Sequence, residues 1–210
     1  MKTELIVVRH GETHWNVEGR IQGYSADSPL TGRGEAQARA VGERLAGEAI
    51  DALFSSDLGR TRQTAQPLIA VTGLAAEFDA GLRERSYGVF EGRTYADIER
   101  EFPDAWARLA SRDPHFAMPG GESSAQFQAR VVLAFESIAE RAGGRRVAVV
   151  THGGVLGALY RHVMNLPLDA PRSWTMLNAS INRIRIQAGR WSLDRWGDVT
   201  HLPEDSLDDV

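Results

Sequence analysis

The chain has 210 residues, 42% of them apolar and 25% charged, a balance that suits one good-sized globular domain with a buried core. It has no cysteine, and only Lys2 among its 24 basic residues is a lysine. Disulfides, thiolate metal sites, cysteine-nucleophile phosphatases and a Gly-Lys-Ser/Thr phosphate loop are thereby excluded. A net charge of −4 argues against a nucleic-acid partner, and no apolar run approaches the roughly 20 residues that span a bilayer. Glu4 and Arg9-His10 interrupt any secretory-signal centre, so the cytoplasm is the expected location.

In chain order, Glu4–Arg9 reads as a buried strand, because Leu5-Ile6-Val7-Val8 runs directly into Arg9-His10-Gly11-Glu12-Thr13. Such a strand delivers a cation and an imidazole to its carboxyl end, where open α/β sheets bind ligands. Thr31 caps a helix whose Ala36, Ala40, Val41 and Leu45 follow a 3.6-residue period. Asp51–Ser55 is a second strand, leading through Ser56-Asp57-Leu58-Gly59-Arg60-Thr61-Arg62 into another helix. A third charged cluster, Leu82-Arg83-Glu84-Arg85-Ser86-Tyr87-Gly88, continues to Glu91-Gly92.

Residues 91–121 predict short helices around Thr94–Phe102 and Asp104–Ser111 and then a loop with Pro and Gly, an insertion over the ligand edge of the sheet. Ser123 with Gln126 forms a capping box that opens a helix carrying Phe127, Val131, Phe135 and Ile138 on one face, and Gly143-Gly144 stops it. The strand Arg146–Thr151 repeats the first design: it ends in Thr151-His152-Gly153-Gly154, and a helix follows at once. Ser180–Gln187 and Trp191–Trp196 alternate as strands with unlike faces around a turn at Gly189. The alternation of strands and helices predicts a single three-layer α/β/α domain over residues 1–202, with a mostly parallel central sheet and a small helical insertion near the site. The acidic tail Pro203–Val210 is expected to fray.

The clusters around His10, Arg60, Glu84 and His152 offer two imidazoles, two guanidiniums and one carboxylate at strand ends or in neighbouring loops. A phosphate monoester needs those groups. A neutral imidazole can attack phosphorus if its other nitrogen is held. Guanidinium forks match the non-bridging oxygens. A carboxylic acid of raised pKa can protonate the leaving alkoxide and then take a proton from water.

The motifs Arg9-His10-Gly11-Glu12-Thr13 with Asn16 and Gln22-Gly23, Ser56-x-Leu58-x-Arg60, Leu82-x-Glu84 with Tyr87-Gly88, and Thr151-His152-Gly153 occur in the order and over the span that resemble the histidine phosphatase superfamily, phosphoglycerate-mutase-like branch. The resemblance implies that His10 is the phosphorylated nucleophile and Glu84 the proton donor and acceptor. It implies that Arg9, Arg60 and His152 hold the phosphoryl group, with Asn16, Gln22, Gly23 and the Gly153 amide as further contacts. Tyr87 and Arg85, flanking Glu84, are expected to reach the substrate. Gly154-Val155-Leu156 after the second His-Gly, and Met118-Pro119-Gly120-Gly121-Glu122-Ser123 before the long helix, resemble the broad-specificity phosphatase members. The alternatives are a phosphoglycerate mutase and a non-catalytic binder of phosphorylated ligands.

The expected partners are a small phosphomonoester and inorganic phosphate, with no cofactor; oligomeric state is left open, a homodimer included. His10-x-Glu12-x-His14 does not have zinc-helix spacing, so no metal site is expected. His14 is expected near the phosphate or at the rim, and His115, His162 and His201 in structural or solvent-facing positions. Trp106, Phe116 and Met118 are expected to pack the insertion. Arg62, two residues from Arg60, is expected to pair or cap elsewhere.

Overall fold

The computed structural model of the chain describes residues 2–25 and 27–204, so almost all of the acidic tail lies outside the described residues. Apolar runs without polar alternation suit strands covered on both faces. The two runs of this kind, β1 (Lys2–Arg9) and β4 (Arg146–Thr151), lie side by side in parallel within a six-stranded sheet. On β4's other side come β2 (Ala52–Ser55) and β3 (Ala76–Phe78), both parallel. Beyond β1 run β5 (Ile181–Gln187) and β6 (Arg190–Asp198), antiparallel. The sheet order is β3-β2-β4-β1-β5-β6, and three of its five pairings are parallel.

Alternate residues of the central strands supply two cores. Leu5, Val7, Val147 and Val149 pack on α6 (Ser124–Ala142) and α7 (Gly153–Val163), through side chains such as Phe135 and Leu156. Ile6, Val8, Ala148 and Val150 face α2 (Gly32–Leu45) and α3 (Gly59–Thr72), through Val41, Leu45, Ala65 and Leu68. The three-layer expectation therefore holds. The chain leaves β1 toward α2 on one face and β4 toward α7 on the other, so a crevice opens between the two carboxyl ends.

The predicted caps form: Thr31 accepts from the Gly34 amide, Ser123 and Gln126 make a reciprocal box, and Gly143 closes α6 with φ 59°. The last hairpin turns on Ala188 (φ 50°) and Gly189 (φ 72°), the positive pair that a two-residue turn of matching twist requires. Two elements have no counterpart in the predicted pattern. β3 is three residues long with Glu77 and Phe78 exposed, and α1 (His14–Val17) is a single capped turn. Both are too short to show a period.

The insertion has its own small core. Helices α4 (Tyr95–Glu101) and α5 (Pro103–Ala110) fold over Ile21, Phe90, Ile98, Phe116 and Met118, with Trp106 packed against them. The expected packing role of Trp106, Phe116 and Met118 is what the structure has. No helix among the described residues is long and apolar enough to cross a membrane.

The segment after β1 lies directly on the first turn of α2. A Cβ on Gly34 would stand 2.0 Å from the Glu12 carbonyl oxygen, and one on Gly11 would stand 2.4 Å from that of Gly34. Gly34→Ala should therefore lower stability by about 1–3 kcal/mol through overpacking, measured by urea unfolding. Gly32→Ala, with open space around it, is the matched control and should be neutral or slightly stabilising.

Candidate active site

Arg9 pairs with Thr151 in the β1–β4 register, and the His10 amide donates to the Thr151 carbonyl at 2.9 Å. His10 and His152 therefore leave adjacent strands at the same level. Both rings are buried, with centroids 5.4 Å apart and planes at 61°. The Gly11 carbonyl, 2.8 Å from His10 Nδ1, can only accept, so Nδ1 carries the proton and Nε2 keeps the lone pair. Burial first, then the Arg60 and Arg9 charges, holds the His10 pKa well below its ordinary range. His152 is lowered by the same burial and by Arg60. Two neutral imidazoles face each other.

His152 is placed from the neighbouring strand. Its Nε2 lies 2.8 Å from Ser56 Oγ, and the Ser56 amide is fixed on the Val150 carbonyl at 3.0 Å. The His10 carbonyl accepts from Asn178 Nδ2 at 3.0 Å, and the same amide group reaches Asn16 Oδ1 at 3.3 Å. Asn16 itself closes the capping box of α1 with Thr13.

Two guanidiniums enter the cleft. Arg9 follows from the strand register and donates to the Met176 carbonyl. Arg60, in the first turn of α3, is fully buried; it pairs with Asp27 at 2.7 Å and donates to the Gly23 carbonyl at 3.0 Å. Arg62 points away, over the Phe78 ring and onto the Asp57 carbonyl.

Glu84 sits between two short 3₁₀ turns, 80–82 and 88–90. Its Oε1 accepts from the Arg85 amide at 2.7 Å and its Oε2 from the Gly154 amide at 2.8 Å. Burial raises its pKa, and those two bonds with the Arg60 and Arg9 charges oppose the rise. A Cβ on Gly154 would stand 2.1 Å from Glu84 Oε1, so glycine there makes room for the acid. The carboxyl thus meets the N-terminus of α7, where Gly153 also begins the helix at the cleft.

The acid's loop is clamped from α6. Arg130 donates to the carbonyls of Gly81, Arg83 and Glu84 and pairs with Glu122 at 2.7 Å. Glu122 in turn accepts from the Ser86 amide at 2.9 Å.

The resulting cleft encloses ≈ 430 Å³ and is lined by Arg9, His10, Asn16, Gln22, Arg60, Glu84, Tyr87 and Gly153 among the predicted residues. Gly23 stands behind it; its carbonyl accepts from Arg60, and a Cβ there would require the Glu91 carboxyl to move. Arg85 corrects the expectation that it reaches this cleft. Its guanidinium is held by the Glu122 and Phe116 carbonyls and the Ser124 hydroxyl, on the far side of the Glu84 loop. His14 is exposed and does not line the cleft. His115 is exposed, His162 packs on Trp191, and His201 donates to the Ala179 carbonyl.

Sequence reasoning missed Tyr95, Arg172 and Met176, which also line the cleft, and the supports Ser56, Asn178, Glu122 and Arg130. Ser56 and Glu122 had a signal, their places in the motifs before Arg60 and before the long helix. Among the described residues no group of three or more His, Asp or Glu side chains is placed to hold a metal ion.

Residues 5–199 match the histidine phosphatase superfamily, branch 1. The chain belongs to the histidine phosphatase superfamily. It is 41% identical to "Probable phosphoglycerate mutase GpmB" of Salmonella choleraesuis over 99% of this chain and 98% of that protein. Among solved structures it is similar to YhfR of Bacillus stearothermophilus, with TM-score 0.87 and 36% identity over 95% of this chain and 98% of that one. A mycobacterial glucosyl-3-phosphoglycerate phosphatase superposes with TM-score 0.78 and 34% identity over 94% and 99% of the two chains. The chain is an enzyme of this superfamily, whose members among its neighbours are named phosphatases and mutases.

The buried rings set a pH dependence of stability for this histidine phosphatase. Below the ordinary value of 6.5 the unfolded chain takes up protons that the native site refuses. Their contribution is complete above that pH and falls as pH drops, by at most about 1.4 kcal/mol per ring per pH unit. Glu84, with its raised pKa, opposes this trend: its contribution is present at low pH and is lost as pH rises through the native value. Melting temperatures from pH 7.5 to 5.5 should accordingly fall less steeply in His10→Gln than in the parent. Equal slopes in the two proteins would show that His10 takes up its proton in the native site as readily as in the unfolded chain.

Proposed function

We propose that the chain is a metal-independent phosphomonoesterase that acts on a small phosphorylated metabolite through a phosphohistidine intermediate. The observation that carries this is the 2.8 Å contact of His10 Nδ1 with the Gly11 carbonyl, which assigns the proton to Nδ1 and leaves the Nε2 lone pair of the buried ring beside His152 and Arg60.

In the first step Nε2 forms a bond to phosphorus while the ester P–O bond breaks in line. Arg9, Arg60 and His152 hold the three non-bridging oxygens, with Asn16, Gln22 and the first amide of α7 beside them. Fixed guanidiniums at the developing charge supply the electrostatic stabilisation that other phosphoryl-transfer enzymes take from a metal. The Glu84 carboxyl, its pKa raised by burial, gives its proton to the departing alkoxide. In the second step Glu84 takes a proton from water, the water oxygen bonds to phosphorus, the P–N bond breaks, and inorganic phosphate leaves.

Hydrolysis is favoured by the Gly154-Val155-Leu156 sequence after His152-Gly153 and by the phosphatase titles of neighbours such as the mycobacterial enzyme. A mutase is the second reading, and the name of the curated Salmonella relative supports it. Sugar phosphates, phosphoglycerates, phosphoserine and a nucleotide-loop precursor of cobalamin all fit the family. Incubation with 3-phosphoglycerate separates the readings: release of inorganic phosphate marks the hydrolase, and isomerisation to 2-phosphoglycerate marks the mutase.

Quenched turnover of an aryl phosphate, run in excess chelator, should leave acid-labile, base-stable phosphate on His10. His10→Ala should abolish both label and turnover with the fold intact. Turnover that survives the loss of His10 would overturn the scheme, and loss of turnover in chelator would overturn its metal independence. The free enzyme needs neutral His10 and protonated Glu84, so kcat/KM should fall at high pH as Glu84 ionises. Glu84→Gln should cost about 10²–10⁴ in rate on alkyl esters and remove that alkaline limb; a limb that persists would assign the proton to another group.

A further inference from the structure

Arg60 carries its charge on a side chain with no exposure to water. Both acceptors that hold it come from one loop. Asp27 Oδ1 accepts from Nη1 at 2.7 Å, and the Gly23 carbonyl accepts from Nη2 at 3.0 Å. Arg60 lines the cleft and Asp27 does not, so the acid meets the guanidinium from outside the cleft. The Nε of Arg60 is buried without a hydrogen-bond partner, and the fork therefore keeps donor capacity for a ligand.

The fold places Asp27 with care. The Ser28 amide donates to Asp27 Oδ1 at 3.1 Å, and Ser28 Oγ accepts from the Trp15 amide of α1 at 3.1 Å. The Leu30 amide donates to Gln63 Oε1 of α3, also at 3.1 Å. A Cβ on Gly59 would stand 2.6 Å from Asp27 Oδ2, so glycine at the head of α3 makes room for the carboxylate. The N-cap of α3, Leu58, makes no side-chain cap, and the first turn holds no acid. Asp27 brings to that helix end the negative charge it favours. Its side chain is 33% exposed against 0% for Arg60, so a buried cation is answered by an acid at the water's edge.

A buried guanidinium is unfavourable without a counter-charge, and a phosphoryl group can answer it as a carboxylate does. With Asp27 already in place, the two negative groups repel each other across the guanidinium, and the phosphoryl group gains less from Arg60. We propose that Asp27 is a positioning and charge-setting residue: it holds the Arg60 fork and lowers the affinity of the cleft for inorganic phosphate, so that the product of each turnover is released. The proposal rests on the reading that the His10 cleft holds the phosphoryl group with Arg60 among its contacts. A purely structural tie and a counter-charge predict opposite signs. Loosening Arg60 weakens anion binding, whereas removing the acid's charge alone strengthens it.

Asp27→Asn keeps an acceptor oxygen and removes the charge. Inorganic phosphate, titrated calorimetrically, should bind this variant about tenfold more tightly than the parent, the scale of one unit charge at an effective dielectric of about 20. In turnover of an aryl phosphate, the inhibition constant for inorganic phosphate should fall by the same factor. Melting in graded phosphate serves if the variant is unstable: phosphate should raise its Tm more than that of the parent, and Asp27→Ser should move the same way. Phosphate affinity that is unchanged or weaker in Asp27→Asn would overturn the counter-charge. Arg60→Gln tests the underlying reading and should lose most of the phosphate affinity. If Arg60→Gln binds phosphate as the parent does, the cleft reading falls. If Arg60→Gln weakens binding and Asp27→Asn does not tighten it, the inference about Asp27 alone falls.

Discussion

Arg9 faces Thr151 across β1 and β4, and from that register two strands end at one height with an imidazole on each. A shift of one residue would turn the side chains of a strand to its opposite face. The apolar pattern prevents this, because Val7, Val8, Val149 and Val150 are each committed to one of two cores. The geometry of the candidate site is thus a by-product of hydrophobic packing. The loop after His10 is then fixed by the backbone contact of Gly11 and Gly34, and Ser56 reaches His152 from the third strand end.

The electrostatics follow from that placement. Two rings buried beside Arg9 and Arg60 cannot easily take up protons, so the site's positive charge resides in guanidiniums that never titrate. Those fixed charges also restrain the rise that burial imposes on Glu84, as do the Arg85 and Gly154 amides. The carboxyl is therefore held between opposing influences, which suits the proposed role of giving and then taking a proton. Arg130 and Glu122 contribute by holding the backbone on which Glu84 sits.

Much of this was legible beforehand. The runs before His10 and His152 are long, apolar and closed by Gly, so strand type, burial and direction followed from pattern, and the order of motifs located Arg60 and Glu84. Ser123, Gln126 and Gly143 announced α6 through capping chemistry. What escaped had no periodic signature. β3 is short and partly exposed, and Asn178 and Arg172 lie in the irregular segment between α7 and β5, where only tertiary folding brings a side chain to the cleft. Arg85 adjoins Glu84 in sequence yet does not line the cleft. In a 3₁₀-flanked loop, neighbouring side chains diverge, and Arg85 turns to the Phe116 and Glu122 carbonyls.

α7 carries the Gly153 and Gly154 amides at its first turn and Arg161 two turns later. With a rise of about 1.5 Å per residue, that helix separates the reaction centre from the distal cation by roughly 12 Å of rigid backbone. A helix of this kind is a ruler. Placing that arginine one turn further along would change this separation by about 5 Å and leave both imidazoles where β1 and β4 put them. The surroundings of the cleft could then diversify on one face of one helix, independently of the two rings near its tip.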